Sequence, residues 1–247
     1  MSPRNHVSAG SEPFPSQAPI VFVIDNDISV HASLEALICT AGWRSQMFTS
    51  AEEFLASRPM TGEPSCVMSE VILPGLSGLE LQSRLVGQHN IPMMFLTSHR
   101  NVSVTVRAMK AGAVEFLMKP FREETLMHAL RSALERSQIA LRREVELRTL
   151  RERYATLSER EREVMALVVS GLMNKHVGHQ LRITEITVKV HRGRVMRKME
   201  ADSLPALVVM AATLGLPSPE ARYQFESLGR DPRRAFGDCM PVAPAVS

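Results

Sequence analysis

The sequence predicts two domains, a doubly wound α/β domain followed by an all-helical one, on three observations. From Ile20 to about Leu130, short apolar runs alternate with amphipathic stretches. From Leu130 to Tyr154 there is no Gly or Pro, and charges are spread throughout. From Ser158, short helical patterns are separated by tight turns. A length of 247 residues suits one large or two ordinary domains.

The first apolar run, VFVI at Val21 to Ile24, is followed by a helical pattern from about Ser29 to Ala41. Trp43 to Phe48 then precedes Ser50 to Ser57, and Cys66 to Ser69 precedes Ser77 to Val86. Pro92 to Leu96 precedes Val102 to Ala111, and Val114 to Met118 precedes a last helix from Glu123. Strands that are apolar along their whole length belong in a parallel sheet covered on both faces. Five βα units of this kind make a flavodoxin-like (βα)5 domain.

Leu130 to Tyr154 reads as a continuous linker helix. Leu134, Leu141 and Val145 have heptad-like spacing, as do Leu147, Leu150, Tyr154 and Leu157, but the two sets are out of phase. A solvated helix touching its own domains and a dimer seam both fit. Ser158-x-x-Glu161 is a capping box ahead of Val164, Leu167 and Val168, and Gly171 ends that helix. A helix from Asn174 to Leu181, a turn at Arg182 and Ile183, and a helix from Thr184 to Met199 form a helix-turn-helix. Ser203 caps a fourth, apolar helix, Leu204 to Leu214, and the ends of the chain, 1–18 and 216–247, read as flexible tails.

Composition narrows the function classes. The longest apolar runs, such as Ala206 to Leu216, are far shorter than the ~20 residues that cross a bilayer, and no signal-peptide core follows the N-terminal charges. The three cysteines, Cys39, Cys66 and Cys239, show no metal-ligand spacing, and Cys39 and Cys66 sit among apolar residues as core candidates. A cytoplasmic protein without a membrane partner is expected. The net charge of +3 hides an asymmetry: residues 20–130 carry eight Lys+Arg against eleven Asp+Glu, and the later helices are basic.

In an open parallel sheet, ligands bind beyond the carboxyl ends of the strands. Strand one ends in Asp25, Asn26 and Asp27, strand three in Glu70, strand four in Thr97, and strand five in Lys119 followed by Pro120. Carboxylates, a hydroxyl and an ammonium converging there suit a divalent ion and a phosphoryl group. In the helical half, Arg182 to Lys198 carries Arg182, Lys189, Arg192, Arg194, Arg197 and Lys198 against Glu185 alone. Behind a scaffold helix and a tight turn, such a helix is suited to a major groove. Gly193 falls one turn after Lys189 at a cost of roughly 1 kcal/mol in helix propensity. Arg182 stands where proteins with a similar helix-turn-helix often have Gly or Asn, a resemblance that implies a turn position needing positive φ.

These motifs carry a resemblance. With VIDND, ILPGLSGLEL, FLTSH and EFLMKPF, Ile20 to about Arg136 resembles a receiver domain of a two-component response regulator. With LSEREREV and ITEITVKVHRGRVMRKM, Leu157 to Ala212 resembles a LuxR-type DNA-binding domain, and together they resemble FixJ-like members of the NarL/FixJ class. The resemblance implies a receiver-like domain at 19–136, a linker helix at 137–156 and a helix-turn-helix domain at 157–215. It implies that Asp25, Asn26 and Glu70 form the acidic metal pocket, with Glu70 in the phosphoacceptor position. Thr97, Phe116 and Lys119 take the switch positions, and the Lys119–Pro120 bond is cis in such domains. Thr187, Lys189, Val190, Arg192, Arg194 and Arg197 become DNA contacts, with Lys189 and Val190 facing bases. Promoter DNA, a second copy of the chain and a sensor histidine kinase are the partners implied, with the fourth helices of both domains and the receiver's fifth strand as dimer faces. No enzymatic activity is implied.

Two departures from the family pattern bear on mechanism. The family has Asp where this chain has Glu70, and usually a second acid at Asn26. Glu70 carries its charge about 1.5 Å further from the backbone, and Asn26 removes a negative charge from a site that must dehydrate Mg²⁺. Both weaken Mg²⁺ binding and phosphorylation, so no resident cofactor is expected. A longer carboxylate can reach Lys119, either imitating a phosphoryl group or simply holding the fold. The sequence therefore predicts a DNA-binding regulator that is phosphorylation-independent or phosphomimetic. The alternative is a signalling adaptor that binds a partner protein without reading DNA.

Overall fold

The computed structural model describes residues 18–57, 62–85, 91–99 and 101–216. The chain divides into two compact units, 1–143 and 144–247. The first holds β1 (Ile20–Ile24), α1 (Ile28–Thr40), β2 (Arg44–Phe48), α2 (Ala51–Ser57), β3 (Ser65–Ser69), α3 (Gly78–Leu85), β4 (Met93–Thr97), α4 (Val102–Lys110) and β5 (Glu115–Met118). The 33-residue α5 (Glu123–Ala155) contains the division between the units. The five expected strands form one parallel sheet in the order β2-β1-β3-β4-β5. The expected end of α3 at Val86, most of both predicted tails, and Cys239 lie outside the described residues.

The period of two along each strand divides the apolar side chains between the two faces. Val21, Val23, Met68, Met94 and Leu96 pack with Leu34 and Ile38 of α1 and with Leu126, Leu130, Ala133 and Leu134 of α5. Phe22, Ile24, Val67 and Phe95 pack on the other face with Phe54, Leu81, Leu85 and Ala108 of α2, α3 and α4. Phe48 and Phe54 meet edge-on with ring centroids 5.3 Å apart. Cys66 is fully buried, and burial pushes its thiol pKa up to about 12. Cys39 corrects the expectation of a core residue, because it is exposed. The sheet-facing stripe of α1 runs through Leu34 and Ile38, and the next residue along turns away from it.

The second unit continues with α6 (Glu159–Val169), α7 (Asn174–Leu181), α8 (Glu185–Met199) and α9 (Leu204–Thr213). The predicted capping box is formed: the Ser158 hydroxyl accepts from the Glu161 N–H, and Glu161 accepts from the Ser158 N–H. Ser203 caps α9, with Pro205 in its first turn. Met165, Val195, Met199, Leu207 and Ala211 make one core, and Val164, Leu167, Val168, Val177 and Val188 another. Four residues of the two heptad-like sets divide between the units. Leu134 belongs to the core of the first unit, whereas Leu150 and Tyr154 pack with Leu157 in the second.

The turn between α7 and α8 rests on two residues. Arg182 is left-handed at φ 55°, as the sequence suggested, and its N–H is directed to the carbonyls of Gly178 and His179. A Cβ on Gly178 would lie 2.8 Å from the Ile183 carbonyl oxygen, so only glycine lets the chain fold back this tightly. Gly178→Ala should therefore lower the stability of the second unit by about 1–3 kcal/mol, read as an earlier denaturant midpoint at unchanged slope.

Glu161 is buried and takes the Lys198 ammonium at 2.6 Å. That bond, followed by the Ser158 N–H, holds its carboxyl below the ordinary glutamate range. A group with a lowered folded pKa stabilises fully above its unfolded value, near ~4.3, and loses that contribution as pH falls through the folded one. Thermal melts between about pH 7 and pH 3 should show the second unit weakening in acid. Glu161→Gln should start less stable at neutral pH and respond less to acid.

Candidate functional sites: a lysine-bridged carboxylate pocket and a basic helix

The pocket residues sit one position beyond their strands, and the backbone ladder holds them there. The Asp25 N–H donates to Phe48 O at 3.0 Å, the Glu70 N–H to Ile24 O at 2.8 Å and the Lys119 N–H to Thr97 O at 2.8 Å. The strand order reverses between β1 and β3, so Asp25 and Glu70 flank the crevice where ligands of such sheets bind. Asp25 and Glu70 are buried. Burying two carboxylates needs a counter-charge, and Lys119 supplies it. Its Nζ lies 2.5 Å from Asp25 Oδ2 and 3.3 Å from Glu70 Oε2.

The remaining carboxylate oxygens are also committed. Asp25 Oδ1 accepts from the Asp27 N–H at 3.0 Å, and Glu70 Oε1 from the Val71 N–H at 2.8 Å. Asp27 points its own carboxylate at the N–H and hydroxyl of Ser29, capping α1; these bonds hold its pKa down. Asn26 is exposed. As arranged, the Lys119 ammonium bridges both carboxylates, so Asp25 and Glu70 would have to exchange it to hold a divalent cation. Among the described residues, no group of three or more His, Cys, Asp or Glu could hold a metal.

Of the residues expected at switch positions, Lys119 forms this bridge. Thr97 is fully buried, and its hydroxyl accepts from the His99 N–H at 3.2 Å; among the described residues it makes no hydrogen bond to Glu70. Phe116 is half-buried, its ring 6.0 Å from that of Phe95. The Lys119–Pro120 bond is cis. His31, not singled out in the sequence, bonds the Asp25 carbonyl through Nε2 at 2.7 Å. Gly78 was also missed. A Cβ there would stand 2.4 Å from the Glu70 carbonyl oxygen, so glycine is what allows α3 to start so close to the pocket.

In the second unit, α8 buries Val188, Val195 and Met199 and turns its other side outward. The Thr184 hydroxyl caps α8 by accepting from the Thr187 N–H and lies 2.8 Å from the Thr187 hydroxyl. Lys189, Val190, Arg194 and Arg197 are exposed. At ~100° per residue they share an arc of roughly 140° with Ile186 and Gly193. Lys189 lies 3.2 Å from Glu185, an exposed pair of small energetic weight. Arg192 stands at the edge of the arc, half-buried, and reaches Asn174 Oδ1 at 3.3 Å. Lys198 is not part of the outward charge, because it turns to Glu161 and the Thr156 carbonyl. Ile186 was overlooked; its signal was its place on the face opposite Val188 and Val195.

The model described as "Response regulator receiver domain" matches residues 21–131, and that described as "Bacterial regulatory proteins, luxR family" matches 155–211. Nodulation protein W of Bradyrhizobium diazoefficiens is 46% identical over 202 residues, covering 81% of this chain and 88% of that protein. Transcriptional regulatory protein FixJ of the same organism is 38% identical, covering 79% and 96%. The solved response regulator StyR superposes with a TM-score of 0.70 at 38% identity, covering 79% of this chain and 99% of that one. Five parallel strands, a pocket at their carboxyl ends, a basic helix-turn-helix and these matches place the chain in one family: it belongs to the NarL/FixJ-type response regulators, transcription factors that join a receiver domain to a LuxR-type DNA-binding domain.

Proposed function

We propose that this regulator works without phosphorylation of its receiver and reads promoter DNA as a homodimer through the exposed face of α8. The observation that carries the first part is the Lys119 ammonium bridging Asp25 and Glu70. The lysine that would meet a phosphoryl oxygen already holds two carboxylates, and the oxygen that would accept the phosphoryl group sits on a side chain one carbon too long. Mg²⁺ would have to displace the ammonium and strip its own water to enter, which this ion does reluctantly. Glu70 makes one of the two contacts expected of a phosphoryl group, to Lys119, without the other, to Thr97.

The second part follows from the charge and shape of α8. Lys189 and Val190 face base edges early in the helix, while Thr187, Arg192, Arg194 and Arg197 meet the sugar-phosphate backbone. Two copies related by a two-fold axis place their helices on half-sites roughly one helical turn apart. A sensor kinase, if one docks here, acts by binding rather than by phosphoryl transfer.

Incubated with a small phosphodonor and Mg²⁺, the wild-type chain should keep its intact mass, and Glu70→Asp should gain the mass of one phosphoryl group. Addition of a phosphoryl group at Glu70 in the wild type would overturn the proposal. On DNA, Lys189→Ala should cost about 1–3 kcal/mol and relax preference at one base position, whereas Arg197→Ala should weaken all sequences and lower the salt slope by about 1. Binding measured across a salt series on selected and scrambled duplexes separates the two effects.

A further inference from the structure

The outward face of α8 is more apolar than a phosphate-binding helix requires. Ile186 is 75% exposed and Val190 49% exposed, one turn apart on the face that carries Lys189, Arg194 and Arg197. Ile186 belongs to neither core of the second unit. It stands in the first turn after the Thr184 cap, where a helix entering the major groove meets base edges first. In the middle of the same face, a Cβ on Gly193 would touch nothing within 4 Å. Neither isoleucine nor glycine is a strong helix former, and the fold uses neither side chain position internally.

An exposed aliphatic side chain gains nothing from a phosphate. Among the groups that base pairs display in the major groove, the one apolar target is the C5-methyl of thymine. We propose that Ile186 is a specificity residue that packs against a thymine C5-methyl group beside the base contacted by Lys189. Gly193, without a side chain, lets the helix lie close enough for that contact. The surrounding cations supply attraction that is blind to sequence, and Ile186 adds a preference for thymine at one position of each half-site. The inference rests on the proposed docking of α8 in the major groove.

The test uses the full chain and duplexes it selects from a random double-stranded pool. Each thymine is replaced in turn by deoxyuridine, which removes the methyl group and leaves the hydrogen-bonding edge intact. Wild type should lose about fourfold in affinity at one position per half-site, the value of one buried methyl-sized group. Ile186→Ala should bind the selected duplex more weakly and show no loss on that replacement, while Val190→Ala should keep it. Because Ile186 is exposed, its alanine variant should melt like wild type, so a folding defect would be visible separately. Equal binding of all deoxyuridine duplexes by wild type would overturn the inference, as would a loss that persists in Ile186→Ala. If no duplex is selected at all, the proposed docking of α8 falls as well; if duplexes are selected but are indifferent to the methyl group, only the role of Ile186 falls.

Discussion

Two buried carboxylates at the end of a parallel sheet cannot stand without a cation, and in this receiver the cation is Lys119. Much else in the first unit serves that arrangement. The ladder bonds continuing past β1, β3 and β5 hold Asp25, Glu70 and Lys119 in register, and the strand order brings them to one crevice. Gly78 lets α3 begin almost in contact with the Glu70 carbonyl. His31 fixes the backbone at Asp25, and Asp27 is occupied with the start of α1. The extra methylene of Glu70 thus acts in a space with little slack. It brings its carboxylate to the lysine already held by Asp25.

The second unit obeys a similar rule with the opposite purpose. Here a carboxylate is buried to build a helix start, and Lys198 neutralises it from the inner edge of α8. The cations left outside share one arc of the helix with Ile186, Val190 and Gly193. Gly178 and the left-handed Arg182 set the tight return that presents this arc. A strained arginine at the turn and a glycine in the helix both cost stability. Such local costs gather where function constrains the chain.

The elements were legible because their signals are local: short strands that are mostly apolar, a capping box and a basic helix each announce themselves in a few residues. Side-chain direction was less legible. Cys39 was read by its apolar neighbourhood and faces the other way, because one helical step of ~100° separates a core position from an exposed one. Of the two out-of-phase apolar sets, Leu134 belongs to the core of the first unit and Leu150, Tyr154 and Leu157 to a core of the second, which accounts for the change of phase between those residues. The pocket residues were readable from strand ends, but their bonds were not. The lysine contact with Glu70 could be anticipated from side-chain length, whereas the shorter contact with Asp25 and the commitment of Thr97 to His99 depend on backbone geometry that no pattern records.

A contact biases a two-state domain only by the difference in its strength between the two states. A phosphoryl group gains by drawing in both the lysine and the threonine hydroxyl. Glu70 holds the lysine in the state described here, with the Thr97 hydroxyl accepting from the His99 N–H and Phe116 lying near Phe95. An ion pair already present in the starting state adds little preference for another. Glu70 makes no hydrogen bond to the Thr97 hydroxyl among the described residues. Its present bonds, to Lys119 and to the Val71 amide, favour the arrangement that already exists. In this geometry both Glu70 oxygens are held, one by the Lys119 ammonium and one by the Val71 N–H, so the side chain is fixed at the carboxyl ends of β1, β3 and β5.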